Sequence, residues 1–518
     1  MKEDKTILGT LPRETFKEFL FQDRKNKVTL WIAVTAIIIQ FVLFKYFYPF
    51  ASFIYGDSFV YLDIARENLD IQTYMVGYGR FLRLFSVFTK SDTALVACQY
   101  LMIQSGALGL LFSLYYFYKP GRWVQIVLQG FVVLNPLFLH MANMISSDGF
   151  FLSLSLFWFT FLLWIIHRPG IQLVVWHTVF LVIVFTVRYN ALIYPIITVF
   201  VFLISKLSLR VRIAGTGVAL LFCSLFILYT AGKYKALTGI WQYSPFSGWQ
   251  MANNAMYAYR YVDHSQRKPV PKRFKILDNM ICTYFDSTRD VKKHPQEAEM
   301  AGTVYMWTPW LPLYKYRDEL FKNDTTSTEL EKWASMGPFY RAYGIYIVKT
   351  YPYYYARYFL MPNVSKYYAP PVEFLAVYNG GYDRVTPQAQ QWFGYKSEEV
   401  KTRFKNPWVV VLDFFPIWSG VINAMMLFGI LGFAILRGFR MKVLFRKGVI
   451  IAGIVWLLNA AFTILASSAA LRFQAFPIVI TSIFSLLLID WICKMGIIER
   501  EKRTPAEKKE STIGMQIG

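Results

Sequence analysis

The stretch VTLWIAVTAIIIQFVLFKYFYPF, from Val28 to Phe50, carries a single charged residue, Lys45, near its far end. As a helix rising 1.5 Å per residue it is long enough to cross the roughly 30 Å hydrocarbon core of a bilayer. It is too long for the apolar segment of a signal peptide, and no small-x-small site directly follows it. It therefore reads as an uncleaved anchor. Arg24, Lys25 and Lys27 precede it, which keeps the amino terminus in the cytosol.

Outward from this run, further apolar stretches begin near Ala94, Trp123, Gly149, Ile171, Ala191, Ile213, Trp408, Val449 and Phe473. The expected fold is an all-α polytopic membrane protein with about ten transmembrane helices. Lys119 and Arg122, then His167 and Arg168, then Lys206, Arg210 and Arg212, then Arg437 to Lys447, fall at every second turn. With Lys494 to Lys509 closing the chain, both termini are expected on the cytoplasmic side. The tightest turn is Arg188-Tyr189-Asn190, between the fifth and sixth runs. Composition agrees: 55% of the 518 residues are hydrophobic and 17% charged, against about 25% charge in soluble domains. The net charge of +23 punctuates the apolar runs instead of forming one basic stripe, so no nucleic-acid partner is expected.

The organisation read from these runs is a cytoplasmic segment 1–27, seven spans over 28–231 with a first outward loop 51–93, an extracytoplasmic domain 232–407 between helices 7 and 8, three spans over 408–493, and a cytoplasmic tail 494–518 read as disordered. Cys282 is the lone cysteine of the large loop, so that loop holds no disulfide of its own. In the first loop Phe59, Leu62, Ala65 or Arg66, and Leu69 recur at helical spacing, with Asp63, Glu67 and Asp70 facing away: an amphipathic helix lying in the membrane interface. The tyrosine-rich stretch Gly337 to Pro362 reads equally as a belt at the headgroup layer or as a face packed inside the loop domain.

Charged residues at the outward ends are the candidates for chemistry. Asp57 and Asp148 each precede an apolar helix and are read either as helix N-caps or as a carboxylate pair in one cavity, dividing base and metal-binding roles. His140 is a nearby nitrogen donor, and a divalent cation, Mg or Mn, is the one cofactor this pattern leaves open. Arg188 and Arg472 stand where the positive-inside bias disfavours arginine. A bound lipid phosphate would compensate them, and snorkelling to headgroups is the alternative. Arg80 and Arg83 fit a phosphate-binding or a solvated face. Trp241, Gln242, Tyr243, Trp249, Gln250, Asn253 and Asn254 suit either sugar stacking or loop packing.

The order of these features, with the acidic Asp57 ahead of an interfacial helix, Ser147-Asp148 at the fourth span, Arg188-Tyr189-Asn190 ahead of Pro195, and Arg472 to Pro477 opening the last span, resembles the GT-C superfamily of glycosyltransferases. The closest branch is the one of protein-mannosyltransferases and aminoarabinose transferases. The resemblance covers residues 28–231 and 408–493; the paired first-loop acids of that family are here only Asp57 followed by Ser58. It implies inverting transfer of a sugar or glycan from a polyprenyl-phosphate-linked donor to an extracytoplasmic glycan, lipid or protein. Asp57 would be the base, and Arg472, Arg188 and Arg80 would hold the donor phosphate. The expected setting is a bacterial inner membrane with the site facing the periplasm; Asn323 and Asn363 head sequons and leave an endoplasmic-reticulum setting open. A polymerase or ligase of lipid-linked glycans is the rival within this class, and a lipid or solute transporter the rival outside it.

Overall fold

The computed structural model describes residues 11–295, 297, 302–441, 443–466 and 468–514. Among them, eight helices are long and apolar enough to cross a membrane: Arg24–Phe47, Asp92–Tyr118, Arg122–Asn143, Ser147–His167, Leu209–Thr238, Val410–Ile435, Phe445–Ala466 and Leu471–Ile497. The described residues contain no strand, only isolated bridges. The expectation of an all-helical multi-pass membrane protein holds at that level. The two remaining apolar runs form shorter helices, Ile171–Val187 and Tyr189–Ile204. Arg188 interrupts them with an extended backbone, Tyr189–Ile193 is a 3-10 turn, and Pro195 opens the α-helix that follows.

Burial sorts these helices into an inner and an outer set. Ser147–His167 is buried along most of its length and packs on Asp92–Tyr118 and on the last helix. The first span instead exposes Trp31, Ile32, Ile38, Ile39, Val42 and Leu43, the pattern of a helix facing lipid. At one end of the bundle the Tyr118 hydroxyl meets His167 Nε2 at 2.9 Å, Asp490 accepts from the Gly121 N–H, and Lys494 closes on Asp490 at 2.7 Å. These are the flanks expected on the cytoplasmic face, and they gather on one side.

The opposite end carries the large loop, and residues 232–407 divide between two cores. The described residues between 245 and 351 build a helical subdomain around Trp249, Tyr259, Phe274, Tyr305, Tyr340 and Tyr343. Its central crossing sets Pro245–Tyr259 against Gly337–Thr350. Gly248 lies directly against the Gly337 carbonyl there, and a side chain at Gly248 would collide with it. Residues 375–412 belong to the membrane core: Leu375, Tyr378, Val385, Phe393 and Val409 pack with the spans. The link between the two is Pro352–Tyr355, a π-helical stretch Ala356–Leu360 just ahead of Pro362, and Met361–Tyr368. This last helix leans on the Phe445–Ala466 span, with Asn363 Nδ2 donating to the Ile464 carbonyl.

Two expectations need correction, and one open alternative is resolved. The helix Asp57–Glu67 is not simply interfacial: it buries Ser58, Tyr61, Leu62, Ile64 and Ala65 against Gly77–Ser86 and the bundle, with Phe59 and Leu69 at its margin. In the Gly337–Thr350 helix Tyr340 and Tyr343 are fully buried, so this face packs inward, while Tyr353 in the next helix is exposed. Over its described residues the tail is helical, because the last helix runs from Leu471 to Gly514; Lys, Glu and Ala in the sequence after Ile497 are good helix formers.

Candidate functional site

Backbone pairing at the outward end brings distant acids together. Ser52 donates its N–H to the Asn143 carbonyl at 2.8 Å and accepts from the Ile145 N–H at 2.9 Å. Ser58 then locks the start of its helix, accepting from the Ile54 N–H at 2.8 Å and donating to the Ile145 carbonyl at 2.7 Å. Asn379 clamps the same loop from above, accepting from the Phe53 N–H and donating its own N–H to Ser52 Oγ. Asp57, the first residue of Asp57–Glu67, and Asp148, the second of Ser147–His167, therefore open two helices that start side by side.

Neither aspartate is an N-cap. Gly56 occupies that position before Asp57 with φ +95, a conformation glycine adopts without steric cost, and makes no side-chain cap. Ser146 caps the other helix, its Oγ accepting from the Asp148 N–H. Both carboxylates are turned to arginine instead. Arg472 Nη1 donates to Asp57 Oδ2 at 2.9 Å and to Asp148 Oδ2 at 3.2 Å. Arg188 Nη1 donates to Asp148 Oδ1 and, at 3.4 Å, to Ser147 Oγ. The side chain of Asp148 is only 2% exposed and that of Arg472 8%. Two arginines and two aspartates cancel in formal charge, which lets the cluster exist in a low-dielectric setting at all.

Aromatic groups complete the surround. Phe473 lies between the arginines, its ring centroid 4.4 Å from Arg472 Cζ and 4.5 Å from Arg188 Cζ, a cation–π contact to each. Tyr74 donates its hydroxyl to Asp57 Oδ1 at 2.7 Å. Burial, then the charge of Asp57 and this hydrogen bond, push the Tyr74 phenol well above its usual range, so it stays a proton donor. Its ring abuts Tyr61, Trp307 and Phe246, and Phe246 stacks on Tyr189 beside Arg188. A half-buried aromatic wall thus joins the charged cluster to the outward subdomain.

Other candidates lie elsewhere. Arg80 turns to Asn68 and Asp70 at the far end of Asp57–Glu67, where Lys233 also pairs with Asp70. Arg83 donates to the Ala65 and Arg66 carbonyls. The His140 ring packs against Phe44 and Tyr48, a place set by aromatic contacts and apart from the carboxylate pair. Among the described residues no three His, Cys, Asp or Glu side chains converge. The oxygens of Asp57 and Asp148 are moreover taken by Tyr74, Arg472, Arg188 and Ser146. This donor set does not fit a divalent cation without expelling an arginine. Trp249, Gln250, Asn253 and Asn254 are buried in the subdomain, with Trp249 Nε1 donating to the Trp333 carbonyl; packing, not sugar stacking, accounts for them.

One residue without a distinctive signal in the sequence stands beside the cluster. Glu373 follows Pro370 and Pro371 in the segment returning to the membrane core. The Leu471 N–H donates to the Pro371 carbonyl at 2.9 Å, and the Phe374 ring lies 4.8 Å from Arg472 Cζ. Glu373 has φ +50, a left-handed conformation that costs a non-glycine residue roughly 1 to 2 kcal/mol. Both of its carboxylate oxygens are buried, with no hydrogen-bond partner among the described residues. Burial pushes this carboxyl up to about 7, against the opposing pull of Arg472 and Lys366.

Compared with protein-family models, curated proteins and solved structures, the chain matches none.

Proposed function

We propose that the chain is a membrane glycosyltransferase that moves a sugar or glycan from a polyprenyl-phosphate-linked donor to an extracytoplasmic acceptor with inversion. The observation that carries this reading is the buried pair Arg472 and Arg188, gathered with Asp57 and Asp148 at one end of the bundle. Guanidinium groups held in a dry site are suited to the charge that develops on a departing phosphate, and they can grip its oxygens through parallel N–H groups. In the resting protein the two carboxylates occupy those donors. An arriving phosphate takes their place on Arg472 and Arg188, and the carboxylates keep both side chains aimed until it does. Asp57, expected as the base, has both oxygens engaged, so its first task in this reading is to position Arg472.

Sidedness follows from charge. The end holding Lys119, His167, Arg168 and Lys494 is assigned to the cytoplasm and the arginine cluster to the periplasmic face of a bacterial inner membrane. The two shorter helices also cross in this reading, which makes ten spans; at 17 residues Ile171–Val187 is about 26 Å long, close to the hydrocarbon thickness. The charged cluster lies at a helix end and not at the midplane, which favours surface chemistry over the transporter reading.

The deciding experiment incubates purified protein with defined polyprenyl-phosphate and polyprenyl-diphosphate sugars and measures free lipid phosphate or diphosphate. Release that depends on acceptor and on Arg472 supports the proposal. No release from any donor, with the protein folded, removes it.

A further inference from the structure

Of the three carboxylates Asp57, Asp148 and Glu373 gathered around Arg472, two are fully engaged. Asp57 accepts from Tyr74 and Arg472, and Asp148 accepts from Arg188, Ser146 and Arg472. Among the described residues Glu373 accepts from nothing, although both oxygens are shielded. A carboxylate taken out of water without donors is costly, so such a group is kept where a ligand completes it. Among the described residues the neighbouring Arg472 Nε is likewise buried without a hydrogen-bond partner.

Three charged or titratable groups face Glu373 from the elements around it. Arg472 comes from the last helix, Lys366 from Met361–Tyr368, and Tyr257 from Pro245–Tyr259 of the outward subdomain. Glu373 therefore sits where membrane core, linking helix and subdomain meet, and the Pro371 and Phe374 contacts hold its segment against the proposed phosphate-binding arginine.

We propose that Glu373 is the general base of the transfer, accepting the proton of the acceptor hydroxyl while Arg472 holds the leaving phosphate. This inference rests on the glycosyl-transfer reading. An oxygen lone pair of the acceptor forms the new bond to the anomeric carbon. The bond from that carbon to the phosphate oxygen breaks, and its electron pair leaves with the lipid phosphate. The hydroxyl proton passes to Glu373, which returns it to water after the product departs. Burial suits the task, because a carboxyl that titrates near neutrality combines an available base with real proton affinity.

The test uses the full chain in nanodiscs with a polyprenyl-phosphate sugar that the wild type turns over. Glu373→Gln should lower turnover by about a hundredfold or more while leaving donor affinity within about threefold, since the phosphate contacts are untouched. Wild-type kcat/KM should fall as pH drops through about 7, because protonation removes the base. That acid limb should vanish from the residual rate of Glu373→Gln. Glu373→Asp keeps a carboxylate on a shorter stem and should retain part of the rate with the limb still present. Near-normal turnover in folded Glu373→Gln, or an acid limb persisting in it, overturns the assignment while leaving the transferase reading intact. A wild type inactive with every donor overturns that reading and this inference together.

Discussion

Arg472 Nη1 sits 2.9 Å from Asp57 Oδ2 across 415 positions of chain, and the same nitrogen lies 3.2 Å from Asp148 Oδ2. One nitrogen thus ties the first turn of the last helix to the starts of two others. A ligand anion must compete with both carboxylates for it, and substitutions within this group will not add.

Arg472→Ala should weaken the affinity of the folded protein for a polyprenyl-phosphate donor by roughly ten- to a hundredfold, the loss of a charge-assisted hydrogen bond worth about 1.5 to 3 kcal/mol. Arg472→Lys should recover only part, since an ammonium keeps the charge without the planar fork. Donor titration in nanodiscs measures this. Unchanged affinity in well-folded Arg472→Ala would contradict the phosphate-holding role, because an arginine that merely snorkels affects insertion and not donor affinity.

Asp57→Asn keeps an oxygen for the Tyr74 hydroxyl but removes the charge that steadies Arg472. Turnover should fall by about tenfold, as expected when a positioning contact is loosened rather than a reacting group removed. The acid limb of kcat/KM should remain, because it belongs to Glu373. Its disappearance in this variant would return the role of base to Asp57.

Much of this was legible in the sequence. Run length and basic flanks gave the helices, and Arg188 marked the break that leaves two of them short. Asp57, Asp148, Arg188 and Arg472 stood out singly as charges at helix ends. A shared cavity for Asp57 and Asp148 is legible, but their ion pairs with Arg472 and Arg188 are not, because these depend on Ser52 pairing with the start of the fourth span and on the last helix meeting the first loop. Glu373 gave little signal: it follows two prolines in a stretch without periodicity, and its significance comes from Arg472 far along the chain. An acid set among Pro371, Val372, Phe374 and Leu375 is the clue that sequence offers. In the helix Asp57–Glu67 the expected Leu62 and Ala65 are buried, but Ser58 and Tyr61 join them because their hydroxyls hydrogen-bond inward to Ile145 and Ser147.

Sidedness can be tested without substrate. Single cysteines at exposed Asp263, His264 or Asn323 of the subdomain should react with a membrane-impermeant maleimide added outside intact bacterial spheroplasts. Cysteines at Arg437 or Arg440 should react only after the membrane is opened. The reverse pattern would place the arginine cluster on the cytoplasmic face and remove a periplasmic acceptor from consideration.

Arg188 and Asp148 form a buried ion pair within the cluster, with side chains 17% and 2% exposed. Removing one partner of such a pair usually costs about 3 to 5 kcal/mol, because a charge is left buried and unpaired. Here Asp148 keeps Arg472 and Ser146, so Arg188→Met should cost less, about 2 kcal/mol, read as a lowered thermal midpoint in detergent. Adding Asp148→Asn removes the stranded charge and should restore part of that loss, while transfer stays impaired in both proteins because the Arg188 guanidinium is gone. The double variant separates two accounts of Arg188. If its role were only to neutralise Asp148, the double variant would recover activity along with stability. If stability returns and donor turnover does not, Arg188 acts on the donor itself, and the buried carboxylate serves to hold it in place.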